Sequence, residues 1–182
     1  MKMDKKQIPN ILSVVRLLLV PVFVAVFFSG ISNARLWALL VFAIAEFTDV
    51  LDGYLARRND WITDIGKILD PLADKLLQAA AIICLAITDH TFIWLAALFF
   101  AKECCMFAGA FIVLKKHKEI AVSSWYGKMA STVFAGVVMA LIIWHNNATV
   151  TLLFIALLAA VLIFALLMYY FRIFRGKYGI KK

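Results

Sequence analysis

The sequence predicts an all-α integral membrane protein: a bundle of six transmembrane helices with a short N-terminal interfacial segment and both termini in the cytoplasm. Of its 182 residues 65% are hydrophobic and only 16% are charged, and a soluble domain of this length cannot bury so much apolar surface. Six apolar runs each have the ~20 residues that a helix needs to cross a bilayer. Lysine and arginine collect in alternate connections, as they do on the cytoplasmic side of membrane proteins.

The predicted spans follow one another with short connections, so we expect one membrane domain over residues 1–182. A helix satisfies all of its own backbone hydrogen bonds, which makes it the expected form for each apolar run. The basic prefix 1–10 is expected to lie in the interface before the first span. The six runs are 11–29, 36–56, 68–87, 92–114, 125–144 and 150–171.

The distribution of basic residues predicts which side of the membrane each connection faces. Sixteen of the 19 lysines and arginines, Arg16 among them, fall on the side of the two termini, and Arg35 is alone on the opposite side. This asymmetry predicts a multi-pass protein of the cell membrane whose 57–67 connection faces the cytoplasm. The net charge of +8 suits anionic lipid headgroups. A nucleic-acid partner is not expected, because the chain has no soluble basic domain.

Two pairs of aspartates lie at the facing ends of the second and third spans. Asp49 and Asp52 are three residues apart, and Asp70 and Asp74 are four apart, so each pair lies on one face of a helix. A short connection joins the two helices, so we expect them to be antiparallel neighbours whose acidic faces converge. Charged groups in a membrane segment are costly and usually functional.

Four carboxylates in a low dielectric repel one another unless a cation joins them. Oxygen ligands without histidine or cysteine favour a hard divalent ion, Mg²⁺ or Mn²⁺, and this number of carboxylates suits two ions. Paired ions are suited to phosphoryl displacement.

Small residues at Gly53, Ala56 and Gly66 leave room for a ligand, and Arg57 can bind a phosphate through two hydrogen bonds. The alternative, that the aspartates cap helix ends or pair with arginines in a solvated loop, suits Asp60 and Asp64 in the connection better.

The complete pattern, Asp49-x2-Asp52-Gly53-x2-Ala56-Arg57-x8-Gly66-x3-Asp70-x3-Asp74, resembles at each fixed position the signature of the CDP-alcohol phosphatidyltransferases. The resemblance implies transfer of a phosphatidyl group from CDP-diacylglycerol to an alcohol, with release of CMP. It implies that Asp49, Asp52 and Asp70 bind one divalent ion and that Asp70 and Asp74 contribute to a second. Asp74 would be the general base, and a homodimer is implied.

The resemblance also implies residues that bind the CDP-lipid. Gly53, Arg57 and Thr63 would contact the cytidine diphosphate, with Ala56 and Gly66 beside them. The segment "IPNILSVVR" is similar to the amino-terminal segment of the family, where Asn10 and Ser13 approach the nucleotide. Asn10 is equally suited to capping the first helix.

The acceptor is less strongly indicated. The leading expectation is glycerol 3-phosphate, with Lys67, Lys115 and Lys128 receiving its phosphate or, alternatively, anchoring helix ends at headgroups. Family members that use this acceptor usually carry an Arg-Glu pair where this chain has Lys102 and Glu103. We expect these two charges to find different partners across the bundle, because adjacent helix residues point about 100° apart.

Several other functions stay open. Phosphatidylglycerol, as used by a cardiolipin synthase of the same type, is the second candidate acceptor, and inositol phosphate and serine are further ones. A cation transporter is disfavoured, because transporter sites lie near the bilayer midplane between internal repeats. The acidic residues here lie at one interface, and the second half of the chain has no matching acidic motif.

Overall fold

The computed structural model describes residues 8–59, 61, 66–117, 125–144 and 147–174, and within these ranges every regular element is helical. The six long α-helices coincide with the six predicted apolar runs. They are α1 Ile8–Phe27, α2 Ala34–Asn59, α3 Gly66–Thr88, α4 Ile93–His117, α5 Trp125–Trp144 and α6 Ala148–Phe174, with a 3₁₀ turn at His90–Phe92 before α4. The prediction of an all-helical protein is confirmed.

Four segments among the described residues are long and apolar enough to cross a membrane: Asn10–Phe27, Leu69–Thr88, His90–Phe111 and Ala148–Phe171. Helix α5 contributes a shorter apolar stretch, Met129–Trp144, and the C-terminal half of α2 carries charges. Large apolar side chains such as Trp94 and Phe107 are about four-fifths exposed, and such surfaces need an apolar surrounding. The chain is therefore a multi-pass membrane protein. The predicted interfacial prefix lies mostly outside the described residues.

The first compact unit, Met1–Thr88, is organised around α1. This helix packs along both α2 and α3, whereas α2 and α3 touch each other over only a short stretch. Phe23 on α1 and Phe42 on α2 are fully buried, and their ring centroids are 5.8 Å apart. The sequence predicted α2 and α3 as direct neighbours, but most of the packing between them passes through α1.

The turn between α1 and α2 uses two residues in the left-handed region. Gly30 has φ 65° and Asn33 has φ 60°, values that glycine and asparagine adopt at the lowest steric cost. The carbonyl of Asn33 accepts hydrogen bonds from the amides of Leu36 and Trp37 at 2.9 and 3.1 Å. These bonds start α2 directly after the turn.

The second compact unit, Asp89–Lys182, is organised around α6, which packs on both α4 and α5. The rings of Phe99 and Phe134 pack against each other at a tilt of 38°, with centroids 5.0 Å apart. The hydroxyl of Tyr169 on α6 donates to the carbonyl oxygen of Met106 on α4 at 2.6 Å. The chain thus has two compact units, and a single domain over 1–182 stays a prediction.

Candidate active site

Arg16 on α1 joins the two aspartates of α2. Its Nη1 is 2.5 Å from Oδ1 of Asp49, and its Nη2 donates a hydrogen bond to Oδ2 of Asp52. The Arg16 side chain is 1% exposed, that of Asp52 is 3% and that of Asp49 is 41%. The guanidinium is planar and has several donors, so it can bridge two carboxylates one helical turn apart.

The aspartates of α3 have partners of a different kind. Ser13, one turn before Arg16 on α1, donates its hydroxyl hydrogen to Oδ1 of Asp70. The amide of Gln78 donates to Oδ1 of Asp74 at 2.8 Å. The Lys75 ammonium lies 3.7 Å from Oδ2 of Asp74 and 3.2 Å from Oε1 of Gln78. A small polar network thus fixes the orientation of the Asp74 carboxylate.

Electrostatic interactions cross from α2 to α3 at two levels. Asp52 interacts with Asp70, and Glu46, one turn before Asp49, interacts with Asp74. Of these residues, the one that comes first on α2 interacts with the one that comes second on α3, which is the order expected of an antiparallel pair. Among the described residues, however, no three acidic, histidine or cysteine side chains are gathered closely enough to hold one metal ion. The predicted metal cage stays a prediction.

Three polar residues of this region were not assigned to the site from the sequence. Arg16 was grouped with the basic residues of the cytoplasmic side, but it is buried against Asp49 and Asp52. Glu46 and Gln78 received no role. The available signal was their position, because each of these polar residues interrupts an apolar helix.

The remaining predicted site residues fall into three groups. Asn10 is the third residue of α1, so it lies inside the first turn and does not cap the helix; Ser13 has its hydroxyl on Asp70. Gly53 lies next to Asp52 on α2, Gly66 begins α3, and Lys115 is exposed near the end of α4. Thr63 and the side chains of Ala56, Arg57, Lys67 and Lys128 lie outside the described residues.

In the second unit, Lys102 and Glu103 form an ion pair with each other. The Lys102 Nζ is 2.5 Å from Oε1 of Glu103 and 5.5 Å from the ring centroid of Phe99. The expectation of separate partners did not include this pair, which forms because the flexible stem of lysine lets its ammonium reach the adjacent residue. The pair neutralises the Lys102 charge where that residue is 5% exposed.

We expect Lys102→Ala to lower the stability of the chain. The substitution leaves the Glu103 carboxylate without its 2.5 Å partner and removes the cation from the Phe99 ring, and breaking a buried pair costs about 3–5 kcal/mol. The unfolding midpoint in detergent measures the effect. Lys115→Ala, at an exposed position of the same helix, is the matched control, and equal midpoints for the two variants would contradict the prediction.

Comparisons with known proteins cover almost the whole chain. The family model for CDP-alcohol phosphatidyltransferase matches residues 6–170. A Salmonella paratyphi A protein named CDP-diacylglycerol–glycerol-3-phosphate 3-phosphatidyltransferase is 37% identical over 177 residues, covering 93% of this chain and 95% of the relative. Proteins of the same name from Escherichia coli K12 and Shigella flexneri are 38% identical over 163 residues, covering 85% of this chain and 87% of each relative. The chain belongs to the CDP-alcohol phosphatidyltransferase family.

Proposed function

We propose that this protein transfers the phosphatidyl group of CDP-diacylglycerol to the hydroxyl of glycerol 3-phosphate, giving phosphatidylglycerophosphate and CMP. The observation that carries the proposal is that one face of α1 contacts both acidic pairs, through Arg16 to Asp49 and Asp52 and through Ser13 to Asp70. The relatives that match nearly the full chain bear the name of this reaction. A site at the end of membrane helices suits a donor with a lipid tail, and a divalent cation on the carboxylates would attract its anionic diphosphate head.

The carboxylates suit a divalent cation by their chemistry. Oxygen donors without histidine or cysteine favour Mg²⁺ or Mn²⁺, and the second oxygens of Asp49 and Asp52 have no hydrogen bond or ion pair within the described ranges. We assign one ion to Asp49, Asp52 and Asp70, and a second to Asp70 and Asp74. When bound, the ions would neutralise the diphosphate charge and favour departure of CMP.

Asp74 is proposed to take the proton from the acceptor hydroxyl. General bases of this kind must be held within hydrogen-bond reach of the proton they remove. Gln78 holds Oδ1 of Asp74 at 2.8 Å, and Lys75 compensates part of its charge at 3.7 Å. These two contacts support the assignment, because they set the direction of the carboxylate before the acceptor arrives.

The nucleotide and the acceptor are assigned to residues at the cytoplasmic ends of the helices. Gly53, Ala56 and Gly66 would leave space for the cytidine diphosphate, while Arg57 and Thr63 would bind its phosphates. The remaining assignments are Asn10 and Ser13 near the nucleotide, and Lys67, Lys115 and Lys128 at the phosphate of the acceptor.

The membrane arrangement proposed here has six spans, with both termini and the active site on the cytoplasmic side of the cell membrane. The basic asymmetry of the connections supports it. Helices α2 and α5 would complete the six spans. Helix α1 shields the charged part of α2, and α5 contributes a shorter apolar stretch. A homodimer is proposed from the family resemblance alone.

Phosphatidylglycerol is the second candidate acceptor, and one observation favours it. The only described cation in the middle of α4, Lys102, is paired with Glu103 at 2.5 Å, so its charge is already compensated. Phosphatidylglycerol has no terminal phosphomonoester and therefore needs fewer positive charges in its pocket than glycerol 3-phosphate.

An acceptor screen tests the proposed function. The purified chain in lipid vesicles receives CDP-diacylglycerol and Mn²⁺ with glycerol 3-phosphate, phosphatidylglycerol, inositol phosphate or serine, and the lipid product is identified by its mass. We expect phosphatidylglycerophosphate and CMP only with glycerol 3-phosphate, and no CMP after chelation of the metal. Cardiolipin as the product would transfer the assignment to the second acceptor, and CMP release without a divalent ion would contradict the metal assignment.

A further inference from the structure

One face of α1 contacts three of the four motif aspartates, and each contact uses one oxygen. Arg16 takes Oδ1 of Asp49 and Oδ2 of Asp52, and Ser13, three residues earlier and thus on the same face, takes Oδ1 of Asp70. Within the part of the chain that the structure describes, the second oxygens of these three carboxylates have no hydrogen bond or ion pair.

We infer that Arg16 is a positioning residue, which with the help of Ser13 holds one oxygen of each carboxylate and leaves the second oxygens available to a divalent cation that would draw the three carboxylates together. The inference rests on the proposed function, because that function supplies the cation. Partners behind metal ligands commonly fix the orientation of those ligands in this way. Neither residue of α1 needs to contact the ion itself.

The burial of Arg16 supports a geometric role. The side chain is 1% exposed, so its guanidinium exchanges no contacts with solvent and is held by its two carboxylate partners. Asp49 and Asp52 would repel each other without a cation between them. A guanidinium spans both carboxylates at once, whereas a lysine ammonium is a point charge that holds one of them well.

The charge of Arg16 and its geometry have opposite effects on a divalent cation. A fixed positive charge near the ion repels it, so simple loss of that charge would tighten metal binding. Loss of the bridging geometry would weaken metal binding, because Asp49 and Asp52 would no longer be held in one arrangement. The sign of the change in affinity therefore separates the two roles.

The test is Mn²⁺ binding to the full-length protein in detergent, measured by calorimetry and by electron paramagnetic resonance without substrates. Arg16→Lys keeps the charge and removes the bridge, and we expect it to weaken Mn²⁺ binding about tenfold; Arg16→Gln should weaken it further, toward the ~100-fold limit for such partners. Ser13→Ala, which changes no charge, should weaken it less than Arg16→Gln. Arg58→Gln is the control, since Arg58 is exposed on α2 and its guanidinium contacts Tyr54 of the same helix.

Helix content and the unfolding midpoint are recorded for every variant, and Ser13→Ala keeps the test valid if an Arg16 variant does not fold. Unchanged or tighter Mn²⁺ binding in folded Arg16→Lys, or in Ser13→Ala if the Arg16 variants do not fold, would overturn the inference. If wild-type protein binds no Mn²⁺ at all, the metal part of the proposed function fails instead. The two failures are thus distinguishable.

Discussion

The Asp74→Asn variant is expected to lose turnover by about 10²- to 10⁴-fold, the usual contribution of a general base. Asparagine has nearly the same shape as aspartate, and its Oδ1 can still accept the 2.8 Å hydrogen bond from Gln78. Its amide cannot take a proton from the acceptor hydroxyl. The measurements are kcat with saturating acceptor and the Kd for CDP-diacylglycerol, and the Kd should change much less than kcat.

A control variant for Asp74→Asn is Asp89→Asn. Asp89 caps the 3₁₀ turn, where its side chain accepts hydrogen bonds from the backbone and hydroxyl of Thr91 at 2.8 and 2.7 Å. These hydrogen bonds hold the pKa of Asp89 below its usual value, so the control also replaces an ionised carboxylate. Near-normal kcat in Asp74→Asn would remove this residue from the role of base.

The Asp52→Asn variant should lose both metal binding and stability. Because the substitution removes a negative charge and a predicted metal ligand, we expect the affinity for Mn²⁺ to fall by at least about 10- to 100-fold. It also leaves the buried Arg16 guanidinium with Asp49 as its remaining carboxylate partner. Breaking a buried ion pair in this way costs about 3–5 kcal/mol. Mn²⁺ titration and thermal unfolding in detergent measure the two effects.

Asp49→Asn provides the matched comparison for Asp52→Asn. Both residues contact Arg16, but the Asp49 side chain is 41% exposed and that of Asp52 is 3%. Water can compensate for the loss at the exposed position, so Asp49→Asn should lower the unfolding midpoint less. Equal destabilisation by the two variants would show that burial does not set the strength of these pairs.

The positions of the helices were largely predictable from the sequence. The thickness of the bilayer fixes the length of an apolar helix, which is why the run 11–29 corresponds to α1 Ile8–Phe27 and the run 125–144 matches α5. The ends differ by a few residues, because polar residues such as Asn10 continue a helix beyond its apolar part. Packing between helices was less predictable: a short connection suggested that α2 lies against α3, but sequence order does not reveal that α1 packs on both.

The aspartate pairs were predictable because helical spacing is local, whereas their partners were not. The contact of Arg16 with Asp52 joins residues 36 positions apart, and that of Ser13 with Asp70 joins residues 57 apart. No periodicity encodes such distances. The pairing of Lys102 with Glu103 was not predicted for a different reason: the direction of Cα–Cβ bonds does not limit where a long side chain places its ammonium.

The packing of α1 on both acidic helices has a consequence for biogenesis. Arg16 on α1 pairs with Asp52, which comes 36 residues later in the chain, so α1 is synthesised before this partner exists. An unpaired arginine in hydrocarbon is costly. Ribosome-bound chains that end before α2 should therefore hold α1 near the headgroups, and synthesis of α2 should draw it to full depth. Insertion of the first helix is thus completed by the second.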